Sequence, residues 1–195
     1  MKLRPRLLVI SLVVSLVASV AIAWAITRGG DDSSADGEIV NVDGTSGPLQ
    51  PPTLGTNAVV KGKPLPEVSV QTLDGDEVEI ASLIGQPMVI NVWGSTCGPC
   101  KQELPAFAAA HQVFGDQVRF VGIDYLPPSD REESFARDKG VQYELLYDTN
   151  GDFVNDVGIA AFPVTLFVDA NGTIVRQSGQ LDEATLTEHI QNELL

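Results

Sequence analysis

Asn91-Val92-Trp93-Gly94-Ser95-Thr96-Cys97-Gly98-Pro99-Cys100-Lys101-Gln102-Glu103 contains both cysteines of the chain, separated by two residues. The apolar run 88–93 leading into it has strand character, and the run 101–114 leading out is rich in helix formers. Two thiols just past a strand and at the start of a helix can form a dithiol/disulfide couple. There the unpaired backbone N–H groups and the helix dipole favour a thiolate at Cys97. The thiolate, not the thiol, attacks a disulfide. Pro99 is tolerated in the first turn, where its missing N–H breaks no helical bond. The i,i+3 spacing sets Cys100 beside Cys97 but one turn further in. Cys97 is therefore expected to attack a partner disulfide, and Cys100 to resolve the mixed disulfide that forms.

Other uses of two cysteines fit less well. They cannot build the disulfide framework of a secreted mini-protein. A structural metal site takes four ligands, and the only other soft donors, His111 and His189, stand on separate predicted helices without ligand spacing. No metal or other cofactor is expected. A purely structural disulfide would close a loop too short to contribute much stability. The formal net charge of −14 repels nucleic-acid phosphates and reads as a soluble, self-repelling surface.

The 195 residues suit one domain with extensions. Lys2, Arg4 and Arg6 precede an uncharged apolar run, residues 7–26, opening at Leu7 and closing at Ile26. As a helix it would span about 30 Å, the thickness of the hydrocarbon layer. It exceeds the usual apolar segment of a cleaved signal peptide, and Trp24 suits a membrane interface. The run is read as a signal-anchor, with cleavage near Ala23 as the alternative. The basic residues ahead of it place the remainder outside the cytoplasm. Residues 27–60, rich in Gly, Ser, Asp and Pro, read as a flexible linker, with strand alternation only at 39–42. From Lys61 a globular pattern begins.

In that region 68–70 and 78–80 form a predicted hairpin around Gly75, 87–93 and 117–124 are buried strands, and 129–139 is a helix with capping-box spacing at Ser129 and Glu132. A strand at 143–147 and a short helix at 153–157 follow. Strands at 164–169 and 173–177 flank an Asn171-Gly172 turn, and a helix from Asp182 carries a stripe of Leu186, Ile190 and Leu194. The pattern predicts an α/β domain over 61–195: a central mixed sheet flanked by helices, preceded by a β-hairpin and a transmembrane helix.

Gly62-Lys63-Pro64-Leu65-Pro66, Val89-Ile90-Asn91-Val92-Trp93-Gly94-Ser95 and Cys97-Gly98-Pro99-Cys100-Lys101-Gln102-Glu103-Leu104-Pro105 together resemble the TlpA/ResA-type branch of the thioredoxin superfamily. These are membrane-anchored bacterial thiol–disulfide oxidoreductases with a thioredoxin fold. The resemblance implies that Cys97 and Cys100 are the redox-active pair and that Glu103 lies beneath them and handles protons for the inner thiol. It makes Phe162-Pro163 the cis-proline edge that faces the cysteines and pairs with partner backbone. Trp93 and Thr96 are the remaining candidate substrate contacts, with core packing the alternative for Trp93 and an exposed surface position the alternative for Glu103. Thr96 departs from the family, which usually has Trp before the first cysteine.

The resulting expectation is an extracytoplasmic reductase of exported disulfide-containing proteins, apocytochrome c among them, recycled by a membrane thiol reductant. Two alternatives stand beside it: a thiol peroxidase of peroxiredoxin type, and a non-enzymatic copper-binding or assembly module.

Overall fold

The structure, a computed structural model, describes residues 54–195 and two short strands ahead of them, β1 (Ile39–Val40) and β2 (Ser46–Gly47). β1 and β2 pair antiparallel, Ile39 opposite Gly47 and Val40 opposite Ser46, which places the expected strand at its first two residues. The apolar run 7–26 lies outside the described residues. Among those described, no helix is long and apolar enough to cross a membrane.

Residues 54–195 belong to one compact unit built on a seven-stranded sheet. Its strands are β3 (Ser69–Gln71), β4 (Glu77–Glu79), β5 (Met88–Trp93), β6 (Arg119–Asp124), β7 (Glu144–Tyr147), β8 (Val164–Val168) and β9 (Ile174–Ser178). Their spatial order is β4-β3-β7-β6-β5-β8-β9. β5, β6 and β7 run parallel, while β8, β9 and the β3–β4 hairpin join antiparallel. The helices are α1 (Gly98–Phe114), α2 (Asp130–Asp138), α3 (Asp152–Val157) and α4 (Glu183–Glu193).

Every residue of β5 is buried, because both faces of the sheet are covered. Period-two alternation divides the strand between two cores. Met88, Ile90 and Val92 face one, with Val121, Ile123, Leu166, Phe153 and Val157. Val89 and Trp93 face the other, with Leu104, Phe107, Phe120, Phe167, Leu186 and Ile190. The register fixes what lies between Val89 and Trp93 on that second face. Asn91 stands there, with Thr165 opposite it on β8 and Gly122 on β6. A polar and small row thus crosses the middle of an otherwise apolar face.

Residues 54–60, expected to belong to a flexible linker, are instead packed on the domain. Leu54–Thr56 forms a 3-10 turn, Asn57 is buried, and Val60 enters the first core at 3% exposure. The reason is tertiary: Ala58 N–H donates to Gly158 C=O at 2.9 Å, and the chain then follows β9, with Gly62 N–H on Ile174 C=O at 2.7 Å. Short polar residues carry no apolar period, so their hydrogen bonds were not legible in the pattern.

Gly158 closes α3 in the left-handed region at φ 73°. A Cβ there would also meet Ala58 Cβ at 2.6 Å. Gly158→Ala should therefore lower the unfolding free energy by about 2 kcal/mol or more, seen as a lower denaturant midpoint at unchanged slope. An unchanged midpoint would contradict the close seating of residues 57–58 on this turn.

Candidate redox site

β5 ends at Trp93 and α1 begins at Gly98, so residues 94–97 are the whole connection. Cys97 is the N-cap of α1, with extended backbone, and its Sγ accepts Cys100 N–H at 3.2 Å. One of the helix's orphan donors is thus satisfied by sulfur. The two sulfurs are joined in a disulfide with Cα atoms 5.3 Å apart. Cys97 is partly exposed and Gly98 and Pro99 are exposed, while Cys100 is fully buried. A partner can reach the outer sulfur and not the inner one.

One turn beyond Cys100, Glu103 points into the protein and is 1% exposed. It meets the polar row directly: Asn91 Nδ2 donates to Oε1 at 2.7 Å, and Leu181 N–H donates to Oε2 at 3.1 Å. Burial pushes its pKa up from 4.5 to about 7, although both hydrogen bonds pull the other way. Glu103 is therefore not the ordinary surface residue of the alternative reading. A buried carboxyl with its pKa raised towards neutrality thus stands on α1 one turn beyond Cys100.

On the other flank, Ser95 is held by Glu132 of α2, with Oγ donating at 2.7 Å and the backbone N–H at 3.1 Å. The capping-box reading of this residue was half right. Ser129 caps α2 by accepting Glu132 N–H at 3.4 Å, but the Glu132 carboxylate leaves its own helix for the cysteine loop. Asp124, at the end of β6 and level with Trp93, is fully buried; its Oδ1 accepts Leu126 N–H at 2.8 Å. Burial, helped by the charge of Glu132, raises its pKa to about 8 against the pull of the Leu126 bond.

The outer rim is aromatic. Phe162 stacks on Tyr125 with ring centroids 4.2 Å apart, and Tyr125 Oη and Thr96 Oγ1 share a hydrogen bond of 3.0 Å. Gly94 makes room for that ring, since a Cβ there would lie 2.7 Å from it. The Phe162-Pro163 bond is cis. Val164 pairs with Val92, which sets Pro163 at the same sheet end as Trp93 and the cysteine loop.

Trp93 is the exception among the candidate contacts. It is fully buried and stacked on Phe135 at 6.2 Å, so it has no surface for a substrate and belongs to the core. Sequence reasoning also passed over Ser95, Asp124, Tyr125 and Glu132. The only signal was an acidic residue closing an apolar strand and a Glu already assigned to a cap.

A family model described as the AhpC/TSA family matches residues 61–177, more than half of the chain, and the chain belongs to that family. The thiol-disulfide oxidoreductase ResA of Geobacillus thermodenitrificans is 24% identical over 137 residues, 69% of this chain and 79% of that protein. The thiol:disulfide interchange protein DsbE of Escherichia coli K12 is 26% identical over 195 residues, 97% of this chain and 94% of that protein. The structure of dsbF from MTB, in its mixed oxidized and reduced forms, superposes with a TM-score of 0.58 at 28% identity, covering 64% of this chain and 93% of that one. With the paired cysteines in place, these likenesses make the chain a thiol–disulfide oxidoreductase of thioredoxin-like fold.

Because the folded pKa of Glu103 lies above 4.5, at about 7, folding takes up a proton between those values. The stability it contributes is complete below that window and is lost as pH rises through it, on the order of 3 kcal/mol. Glu103→Gln can keep both contacts once the Asn91 amide turns over: Oε1 accepts from Leu181 N–H, and Nε2 donates to Asn91 Oδ1, which makes no hydrogen bond in the native protein. The variant should gain on the native protein in denaturant stability between pH 4.5 and pH 8; parallel profiles would rule out a titrating Glu103.

Proposed function

We propose that this protein is a reductase of disulfides in exported proteins, held outside the cytoplasm by the apolar run 7–26. The observation that carries the reading is the unequal access of the two sulfurs, with Cys97 partly exposed at the helix start and Cys100 fully buried. In the reduced protein, Cys97 thiolate attacks one sulfur of a partner disulfide. A Cys97–partner bond forms, and the partner's second sulfur leaves as a thiolate and takes a proton from water. Cys100 then gives up its proton, with Glu103 as the acceptor beneath it, and attacks Cys97 Sγ. The partner's first sulfur departs, the Cys97–Cys100 disulfide closes, and two electrons have passed to the partner. A membrane thiol reductant restores the pair.

Phe162, Pro163, Tyr125 and Thr96 are the surface on which the partner polypeptide settles, the strand edge at Pro163 pairing with its backbone. The E. coli relative is named a thiol:disulfide interchange protein and matches 97% of this chain, including the N-terminal segment. Apocytochrome c, with paired cysteines, fits this substrate class.

The AhpC/TSA match favours a second reading, a thiol peroxidase. Against it, the Pro-x-x-x-Thr-x-x-Cys run is missing, and the Thr96 hydroxyl adjoining Cys97 is engaged by Tyr125.

Cys100→Ser should accumulate a covalent, dithiothreitol-sensitive adduct between Cys97 and its partner, purified with the N-terminal segment intact. Absence of an adduct would refute the order of attack. Oxidation of the native reduced protein by hydrogen peroxide faster than by a polypeptide disulfide would favour the peroxidase.

A further inference from the structure

Asn57 is 8% exposed, and its whole amide is used on one target. Oδ1 accepts from both Ala160 N–H and Ala161 N–H at 2.7 Å, while Nδ2 donates to Ala161 C=O at 2.9 Å. These partners stand 103 and 104 residues away in sequence. The next residue repeats the attachment through Ala58 N–H on Gly158 C=O, where the glycine leaves no space for a side chain. Residues 158–163 are the irregular connection between α3 and β8, and Asn57 supplies the regular hydrogen bonding that this stretch lacks.

The clamped stretch runs straight into Phe162 and Pro163. From there contacts continue without a break: Phe162 on Tyr125 at 4.2 Å, and Tyr125 Oη to Thr96 Oγ1 at 3.0 Å, next to Cys97. The side-chain hydrogen bonds of Asn57 go to Ala160 and Ala161, not to the cysteine loop.

We infer that Asn57 is a positioning residue of the redox site, fixing the Ala160-Ala161 backbone so that Phe162 and Pro163 present a defined edge to a polypeptide disulfide. The inference rests on reading Phe162-Pro163 as the docking edge. It makes residues 57–58, ahead of the seven-stranded sheet, determinants of polypeptide recognition and leaves sulfur chemistry to α1. A residue that merely held a loop together would alter stability and both classes of disulfide alike.

The test uses the full chain with dithiothreitol as recycling reductant, insulin as the polypeptide disulfide and glutathione disulfide as the small one. Asn57→Ala should raise KM for insulin about tenfold with kcat nearly constant, and leave the rate on glutathione disulfide within about twofold. Asn57→Asp, which keeps both acceptor bonds and loses the donor, should give a smaller rise in the same direction and serves if the alanine variant does not fold. Phe162→Ala should also raise KM for insulin, and adding Asn57→Ala should raise it no further, as expected of residues acting as one unit. If Phe162→Ala raises KM and neither Asn57 variant does, the inference is overturned while the docking edge stands. If Phe162→Ala has no effect on KM, the docking edge itself fails and the inference with it. Equal losses on insulin and glutathione disulfide, or additive effects in the double variant, likewise overturn it.

Discussion

A sulfur atom stands in the N-cap of α1 where most helices place an oxygen. Cys97 Sγ accepts Cys100 N–H, and the helix start thereby brings its partial positive charge to bear on the more accessible sulfur. The same geometry orders the pair, because the residue one turn further in is carried beneath the surface while the cap stays at it. Strand β5 has to end at Trp93, the loop has to be four residues, and Pro99 has to fall in the first turn for this to hold. The rest of the sheet serves mainly to keep that junction in place.

Around it the protein accepts buried polar groups that cost stability. Asn91 interrupts an apolar face, Glu103 is held against it at 1% exposure, and Asp124 is enclosed at the end of β6. Both carboxyl groups are pushed by burial towards neutral or slightly alkaline pKa values, about 7 and about 8. Glu103 is held by Asn91 and Leu181, and Asp124 is coupled to Glu132, which in turn holds Ser95 of the cysteine loop. Carboxyls shifted in this way by burial are more common at working sites than in ordinary cores.

Much of this was legible in the residues. Strands 87–93 and 117–124, the Asn171-Gly172 hairpin and the Leu186/Ile190 stripe follow from periodicity and turn chemistry, and appear within a residue or two of where they were expected. The cysteine pair and Glu103 follow from spacing along a single helix. What spacing cannot give is contact between elements distant in sequence. Glu132 has the signature of a local cap and spends its carboxylate on Ser95, 37 residues away. Asn57 looks like linker and binds a loop beside Pro163. Trp93 has the appearance of a recognition residue, yet the alternation of β5 turns it inward against Phe135.

The central claim is that one sulfur alone meets solvent as an activated nucleophile. Limiting iodoacetamide, applied to the reduced protein at neutral pH and followed by mass-spectrometric mapping, measures this directly. Modification confined to Cys97, at a rate above that of free cysteine, is the predicted result. Equal labelling of Cys97 and Cys100, or a rate at Cys97 no greater than that of an unactivated thiol, would contradict the account.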